Sequence, residues 1–137
     1  MIYNMADGLK NRKKLKYQRG IEMVEKVDFE KINLWKITKD IKDQHVNFAV
    51  SDVNDHCLRI AVFSGEYEWH YHSNSDELFM VLEGELLIDF KDKDTIVLKP
   101  NDTVLIPAGT VHRTRAKQRT VNLCFEDKNA DTIIIDR

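Results

Sequence analysis

The stretch GEYEWHYHSNSDELFMVLEGE, residues 65–85, combines residue types that bind metal ions. His70 and His72 are two residues apart, and Glu77 follows five residues after His72. Residues i and i+2 of a β-strand face the same side about 6.5 Å apart, so both imidazoles can converge on one ion with bonds of about 2.0–2.1 Å. A turn through the intervening SNSD can return Glu77 to that face. The stretch therefore predicts part of a metal site.

A third histidine, His112, follows a turn from Pro107 to Gly109 in the segment IPAGTVHR. Three imidazoles and one carboxylate suit divalent Fe, Mn, Ni, Cu or Zn, whereas Mg and Ca prefer oxygen ligands. Four protein ligands leave one or two positions for water, dioxygen or a substrate oxygen. We therefore predict a single divalent transition metal, whose ligands are His70, His72, Glu77 and His112.

Strand alternation also predicts which neighbours share the cavity with the ion. If Glu77 faces inward, Phe79 and Val81 face the same way and line an apolar pocket. The adjacent carboxylate, Asp76, then faces the opposite side. Arg59 lies in the apolar strand CLRIAVF and is a candidate anchor for an anion in the pocket, although alternation does not determine its face.

The remaining basic side chains near the motifs are expected to lie away from the ion. Arg113 and Arg115 alternate with His112, which places them on the opposite face of the strand. His45 and His56 lie outside the motifs at strand ends, where solvent-exposed loop histidines are expected.

Short segments rich in β-branched and aromatic residues, separated by turn residues, occupy residues 45–127. Many short strands at regular spacing are typical of an all-β sandwich or barrel. Upstream, DFEKINLWKI predicts a short helix over residues 28–37, capped by Asp28, with Phe29, Ile32 and Trp35 on one face.

Composition and charge limit the remaining possibilities. The chain has 137 residues and a net charge of −2, so it has no global attraction for nucleic acid or anionic lipid. Residues 1–26 hold seven basic and three acidic residues, and we expect a basic, poorly ordered extension followed by a single domain over residues 27–137. The basic run LKNRKKLKYQRG holds a single aromatic residue, Tyr17, rather than a series of interleaved ones, so no nucleic-acid partner is predicted.

Membrane insertion and disulfide bonding are not predicted. No apolar run approaches the roughly 20 residues that a membrane span needs. The first residues lack the apolar core of a secretory signal. Cys57 and Cys124 are therefore expected to be reduced thiols in a cytoplasmic protein.

The two histidine-containing segments resemble the motifs of the cupin superfamily. The first motif is matched by Gly65, His70, His72, Glu77 and Gly84, with four rather than five residues between Gly65 and His70. The second motif is matched by Asn101, Pro107, Gly109 and His112, with Ala116 where the family often has asparagine. Asn101 replaces the first glycine of that motif and, like glycine, tolerates a positive φ.

The resemblance implies a jelly-roll β-barrel (a double-stranded β-helix) that binds metal at these four positions. The first motif is similar to those of small single-domain cupins described as mannose-6-phosphate-isomerase-like, which are usually dimers, so a homodimer is expected. The functional hypothesis is a metal-dependent enzyme, dioxygenase- or isomerase-like, that acts on a small molecule. The alternative is a non-enzymatic module that binds or senses a small ligand. The fold by itself does not choose between them.

Overall fold

A computed structural model describes the backbone of Lys14–Arg19 and Glu22–Val27, and residues 29–135. Residues 1–41 and 42–137 form two compact units. In the first unit, strands β1 (Lys14–Arg19) and β2 (Glu22–Val27) pair antiparallel, and helix α1 (Leu34–Thr38) follows. The rest of the expected extension over residues 1–26 lies outside the described residues, and the domain boundary at residue 27 stays a prediction.

Helix α1 is shorter than the helix predicted over residues 28–37. Asn33 has an extended backbone, and its side chain accepts a hydrogen bond from the backbone N–H of Lys36 at 2.9 Å. Because Asn33 caps the first turn, the helix begins at Leu34, and the two upstream apolar residues of the predicted face precede it. The predicted cap, Asp28, lies outside the described residues.

Nine strands build the second unit. They are β3 (His45–Val53), β4 (His56–Glu66), β5 (His70–Tyr71), β6 (Glu77–Glu83), β7 (Leu86–Phe90), β8 (Ile96–Leu98), β9 (Thr103–Ile106), β10 (His112–Asp127) and β11 (Ile133–Ile134). All pairings are antiparallel, and the strands form one curled sheet in which β10 pairs with β4, β5, β6 and β7. The predicted all-β jelly-roll with a short N-terminal helix is confirmed.

Two strands differ from the sequence pattern. The segments TVHRTRA and TVNLCFED join into the single strand β10, whose register shifts between Ala116 and Thr120. This irregularity lets the two halves of β10 pair with different neighbours. The segment EYEWHYH contributes only Glu66, the last residue of β4, and His70–Tyr71 to the sheet. Within the described ranges, no helix is both long enough and apolar enough to cross a membrane.

The core lies on the inner face of the curled sheet. Its buried members are Ala61, Phe63, Phe79, Val81, Leu86, Ile88, Leu98, Ile106, Ala116 and Cys124. Burial alternates along β6, with Glu77, Phe79 and Val81 facing inward as predicted. Asn101 has a φ of 76°, which confirms its role in place of a glycine.

Candidate metal centre

Three short segments of the sheet bring four polar side chains together in the interior. His70 lies on β5 and His72 directly follows it, Glu77 opens β6, and His112 opens β10. His112 is the cross-strand partner of His70, and the centroids of these two rings are 4.5 Å apart. All four side chains are buried, and their ligand atoms lie within 4.8 Å of one another.

Backbone carbonyl groups fix the orientation of the three imidazoles. A carbonyl oxygen can only accept, so each Nδ1 that contacts one is the donor, and Nε2 is left to face the centre of the cluster. The pairs are His70 with Glu68 O at 2.8 Å, His72 with Asp131 O at 2.5 Å and His112 with Thr110 O at 2.8 Å.

Glu77 is the electrostatic centre of the cluster. Its Oε1 lies 3.2 Å from Nε2 of His72 and 3.3 Å from Nε2 of His112, and its Oε2 accepts the Cys124 thiol at 2.8 Å. Burial disfavours its ionised form, but these three contacts together outweigh burial and hold the pKa of Glu77 below its usual range. The hydrogen bond to Glu77 raises the pKa of His72 to about 9, whereas burial lowers the pKa of His70.

One imidazole nitrogen of the cluster is unpartnered. Nε2 of His112 is fully buried and has no hydrogen-bond partner among the described residues, because its approach to Glu77 is poorly aligned. An unsatisfied buried polar group costs about 1–3 kcal/mol. A cation bound to its lone pair would remove that cost. Ligand atoms that share one such ion lie roughly 3–4.4 Å apart, given bonds of about 2.0–2.2 Å, so this buried cluster of three histidines and one glutamate fits a transition-metal site.

The residues predicted to face away from the ion do so. Asp76 is exposed, and its Oδ1 accepts the backbone N–H of Ala108 at 2.8 Å. Arg113 and Arg115 both bind Asp89, whose carboxylate does not line the cavity beside the cluster.

That cavity has a volume of about 370 Å³, and three of the four metal-site side chains, His70, His72 and Glu77, line it. Phe79 and Arg59 line it. Val81, the third residue predicted to line the pocket, is fully buried in the hydrophobic core on the same face of β6. His45, expected to be an exposed loop histidine, is exposed but opens β3 and contributes to the cavity wall. His56 is exposed and stacks on Phe125.

Five cavity residues on β10 were missed by the sequence reasoning: Thr114, Asn122, Cys124, Glu126 and Asp127. Asn122, Cys124 and Glu126 alternate along the strand and face the cavity together. Glu126 is the cross-strand partner of Glu77, and burial, reinforced by Glu77, raises the pKa of Glu126 to about 7. The alternation in NLCFE was a usable signal for one shared face, although not for which face points inward.

Residues near the C-terminal end of the sequence, two of which (Ala130 and Thr132) line the cavity, support His72. The backbone carbonyl of Asp131 accepts from His72, and its carboxylate accepts the backbone N–H of Ser73 at 2.6 Å and the Ser73 hydroxyl. Asn74 accepts the backbone N–H of Asp131 at 2.9 Å, and β11 pairs with β5. We call residues 129–135 the C-terminal segment. No sequence pattern indicates these contacts, since the partners are more than fifty residues apart.

Comparison with known proteins agrees with this fold. The cupin domain family model matches residues 60–124. The uncharacterized protein YdbB of Bacillus subtilis strain 168 is 66% identical over 104 residues, which is 76% of this chain and 92% of that protein. A cupin-2 domain protein from Shewanella frigidimarina is 29% identical with a TM-score of 0.67, over 71% of this chain and 94% of its own.

A more distant structure shows the same fold alone. The polyketide cyclase RemF from Streptomyces resistomycificus is 18% identical with a TM-score of 0.60, over 69% of this chain and 72% of its own. The family match and the cupin-2 domain structure from Shewanella frigidimarina confirm the resemblance that the two histidine motifs suggested. The chain belongs to the cupin superfamily.

Proposed function

We propose that this cupin is a metal-dependent enzyme acting on a small molecule. One divalent ion of Fe, Mn, Ni, Zn or Cu would be held by His70, His72, Glu77 and His112. The observation that carries this proposal is the fully buried, unpartnered Nε2 of His112, which lies within a cluster of ligand atoms at the end of a cavity. Its other nitrogen is already bound to a backbone carbonyl, so rotation of the ring cannot satisfy it.

The residues around the site are arranged for chemistry on a bound molecule. When bound, such an ion supplies Lewis-acid or redox chemistry at its open positions. The three carbonyl contacts keep the imidazoles oriented. Glu126 adds a carboxyl group whose Oε2 is buried without a hydrogen-bond partner among the described residues, where it can hold or accept a proton. A dioxygenase-like and an isomerase-like reaction both suit this arrangement, and RemF supports only the point that the fold can host catalysis.

The second candidate function is a non-enzymatic module that binds or senses a small ligand. The cavity favours it as much as it favours catalysis, because about 370 Å³ lies within the size range of small-molecule sites. Turnover of a bound compound by the metal-loaded protein would select the enzyme, and binding without turnover would select the module.

Assembly and location belong to the same proposal. A homodimer is proposed from the resemblance to small cupins, and light scattering coupled to gel filtration tests it. A cytoplasmic location is proposed from the two unpaired cysteines, Cys57 and Cys124. The net charge of −2 supports the absence of a nucleic-acid or membrane partner.

Elemental analysis of protein purified without chelator or metal-affinity tag tests the metal proposal. We expect near-stoichiometric metal in the wild type and almost none in His70→Ala/His112→Ala. The matched control is His56→Ala, which removes an exposed histidine outside the site and should retain the metal. Absence of metal from the wild type, even after reconstitution with each of the five ions, would contradict the proposal.

A further inference from the structure

Beyond the metal centre, the cavity wall carries polar side chains on β3, β4 and β10. Ala61 of β4 has Asn122 of β10 as its cross-strand partner on one side and Asn47 of β3 on the other. All three residues line the cavity. The methyl group of Ala61 is small, so it leaves space between the two amides.

Asn122 is buried without full hydrogen bonding. Its side chain is only 3% exposed, and Oδ1 has no hydrogen-bond partner among the described residues. Leaving such an acceptor unsatisfied costs about 1–3 kcal/mol. A molecule in the cavity that donates a hydrogen bond to Oδ1 would recover this energy.

Arg59 is the next residue of β4 on the same face, towards the metal centre. Its Nε donates to Oδ1 of Asn47 at 2.8 Å, which holds the guanidinium in place. Within the described part of the chain, Arg59 forms no ion pair with a carboxylate. A guanidinium held by one nitrogen still presents its terminal nitrogens, which match the two oxygens of a carboxylate.

Arg59 lines the same cavity as three side chains of the metal centre, His70, His72 and Glu77. Arg59 is the cross-strand partner of Cys124, whose thiol binds Glu77. Glu126, two residues beyond Cys124 on the same face of β10, is the cross-strand partner of Glu77 and lines the same cavity. The cavity of about 370 Å³ would hold roughly a dozen water molecules at about 30 Å³ each, or one compact organic ligand.

We propose that Arg59 and Asn122 form the substrate-recognition subsite, and that the ligand is a small carboxylate that also carries a hydroxyl or amino group. The carboxylate binds the Arg59 guanidinium, and the hydroxyl or amino hydrogen is donated to Oδ1 of Asn122. The inference rests on the proposed function, since the rest of the ligand then extends to the metal centre. With a divalent ion present, the ion, Arg59 and Lys128 outweigh the three carboxylates that line the cavity, Glu77, Glu126 and Asp127, so an anion is favoured.

The other residues that line the cavity guide the choice of a test ligand. Phe63, Phe79 and Tyr67 also face the cavity, so an aromatic group is compatible with it. The probe is 3-phenyllactate, compared with its neutral amide, 3-phenyllactamide, and with 3-phenylpropanoate, which lacks the hydroxyl group. Each comparison removes one of the two proposed contacts from the ligand and requires no change in the protein.

Isothermal titration of these compounds into zinc-loaded protein tests the proposal. The wild type should bind 3-phenyllactate about 10- to 100-fold more tightly than the amide, as expected for a charge-assisted hydrogen bond, and about tenfold more tightly than 3-phenylpropanoate. Arg59→Gln should abolish the preference for the acid over the amide. Asn122→Leu should abolish only the preference for the hydroxyl group. The control is Arg119→Gln, which removes a surface charge that binds Glu83 and should change neither preference.

Zinc content of the same samples separates the two proposals. A wild type that takes up neither zinc nor any of the other four ions overturns the metal-dependent function. A zinc-loaded wild type that binds none of the probes at millimolar concentration, or binds acid and amide equally, overturns the subsite alone. Retention of the acid preference by Arg59→Gln also overturns it. If Asn122→Leu does not fold, the comparison of 3-phenyllactate with 3-phenylpropanoate in the wild type decides the role of Asn122.

Discussion

Two buried carboxylates in this sheet, Glu77 and Asp89, have pKa values below their usual range for different reasons. Asp89 lies opposite the core face of β7 and accepts hydrogen bonds from Arg115 Nε at 2.7 Å, Arg113 Nε at 2.9 Å and the Thr95 hydroxyl at 2.7 Å. The Arg115 contact is the largest cause of its lowered pKa.

Glu77 has no such permanent cation. It lies among imidazoles and a thiol, and one imidazole nitrogen beside it is unpartnered among the described residues. The Asp89 cluster is therefore electrostatically complete, whereas the Glu77 cluster has a place for an added cation. The pKa of the carboxylate is lowered in both clusters, so a lowered pKa alone does not identify a functional site. The distinguishing feature is a buried polar atom that has no hydrogen-bond partner.

Among the variants that distinguish the two clusters, Glu77→Gln should have the largest effect on metal affinity. The amide removes the only anionic ligand, so we expect metal affinity to fall at least about 100-fold, beyond the loss typical of outer-shell partners. Competition with a chromophoric chelator measures it. Asp89→Asn is the matched control and should change metal affinity less than about twofold. Equal losses in both variants would show that the two clusters do not differ as described.

Asp89→Asn should instead lower the free energy of unfolding. Removing the charge leaves Arg113 and Arg115 without their shared counter-ion, at a cost of about 1–3 kcal/mol, because both arginines remain partly solvated. Urea unfolding followed by circular dichroism measures it. Unchanged stability would indicate that water replaces the carboxylate on both guanidinium groups.

Stability of the metal-free protein should fall as pH rises from about 7 to about 9. The pKa of His72 is raised to about 9 in the folded chain, above its unfolded value, so its contribution is full below the unfolded pKa and is lost as pH passes the folded one. We expect a loss of about 1–2 kcal/mol in urea unfolding. His72→Gln should remove this dependence, and a wild type without it would refute the His72–Glu77 ion pair.

Metal affinity should also depend on the protonation of His72, but it should rise with pH where the stability falls. The ion displaces the proton that His72 holds near neutral pH, so affinity should rise with pH up to about 9. Titration in buffers of different ionisation enthalpy counts the released protons, and about one per ion is expected. Release of none would mean that His72 is neutral before the metal binds.

Asp131→Ala should have the smallest effect. It removes the carboxylate that binds Ser73, beside His72, but retains the backbone carbonyl that orients the imidazole. We expect metal affinity to fall by about tenfold, the lower range for groups that support a ligand. Asp92→Ala, in an exposed loop, controls for loss of an acidic charge. A loss no larger than that of the control would show that the C-terminal segment does not support the metal site.

Much of the site could be predicted because strand alternation is a local property. The spacing of His70, His72 and Glu77 required only a strand, a turn and a second strand, and the structure brings these three together with His112. Alternation also predicted that Glu77 faces the ion and that the adjacent Asp76 faces the opposite side. The same rule could not predict whether Asn122 points into the cavity. A strand that is buried on both sides shows no contrast between apolar and polar positions.

The contacts of the C-terminal segment and of the cavity wall could not be predicted for another reason. Asp131 contacts His72 across 59 positions, and Asn122 faces Ala61 only through the pairing of β10 with β4. Neither contact has a local signal, because it depends on which strands become neighbours. The predicted start of the helix was wrong for a local reason, since Asn33 and Asp28 are both residue types that cap helices.

The sequence by itself determined the family, the strand-rich fold and the residue types of the metal cluster, because all three follow from short-range spacing. Only the tertiary structure decided that Nε2 of His112 is unpartnered, that Val81 belongs to the core rather than the cavity wall, and that Arg59 and Asn122 share one cavity. These facts depend on burial and on strand pairing over long sequence separations, which no local pattern encodes.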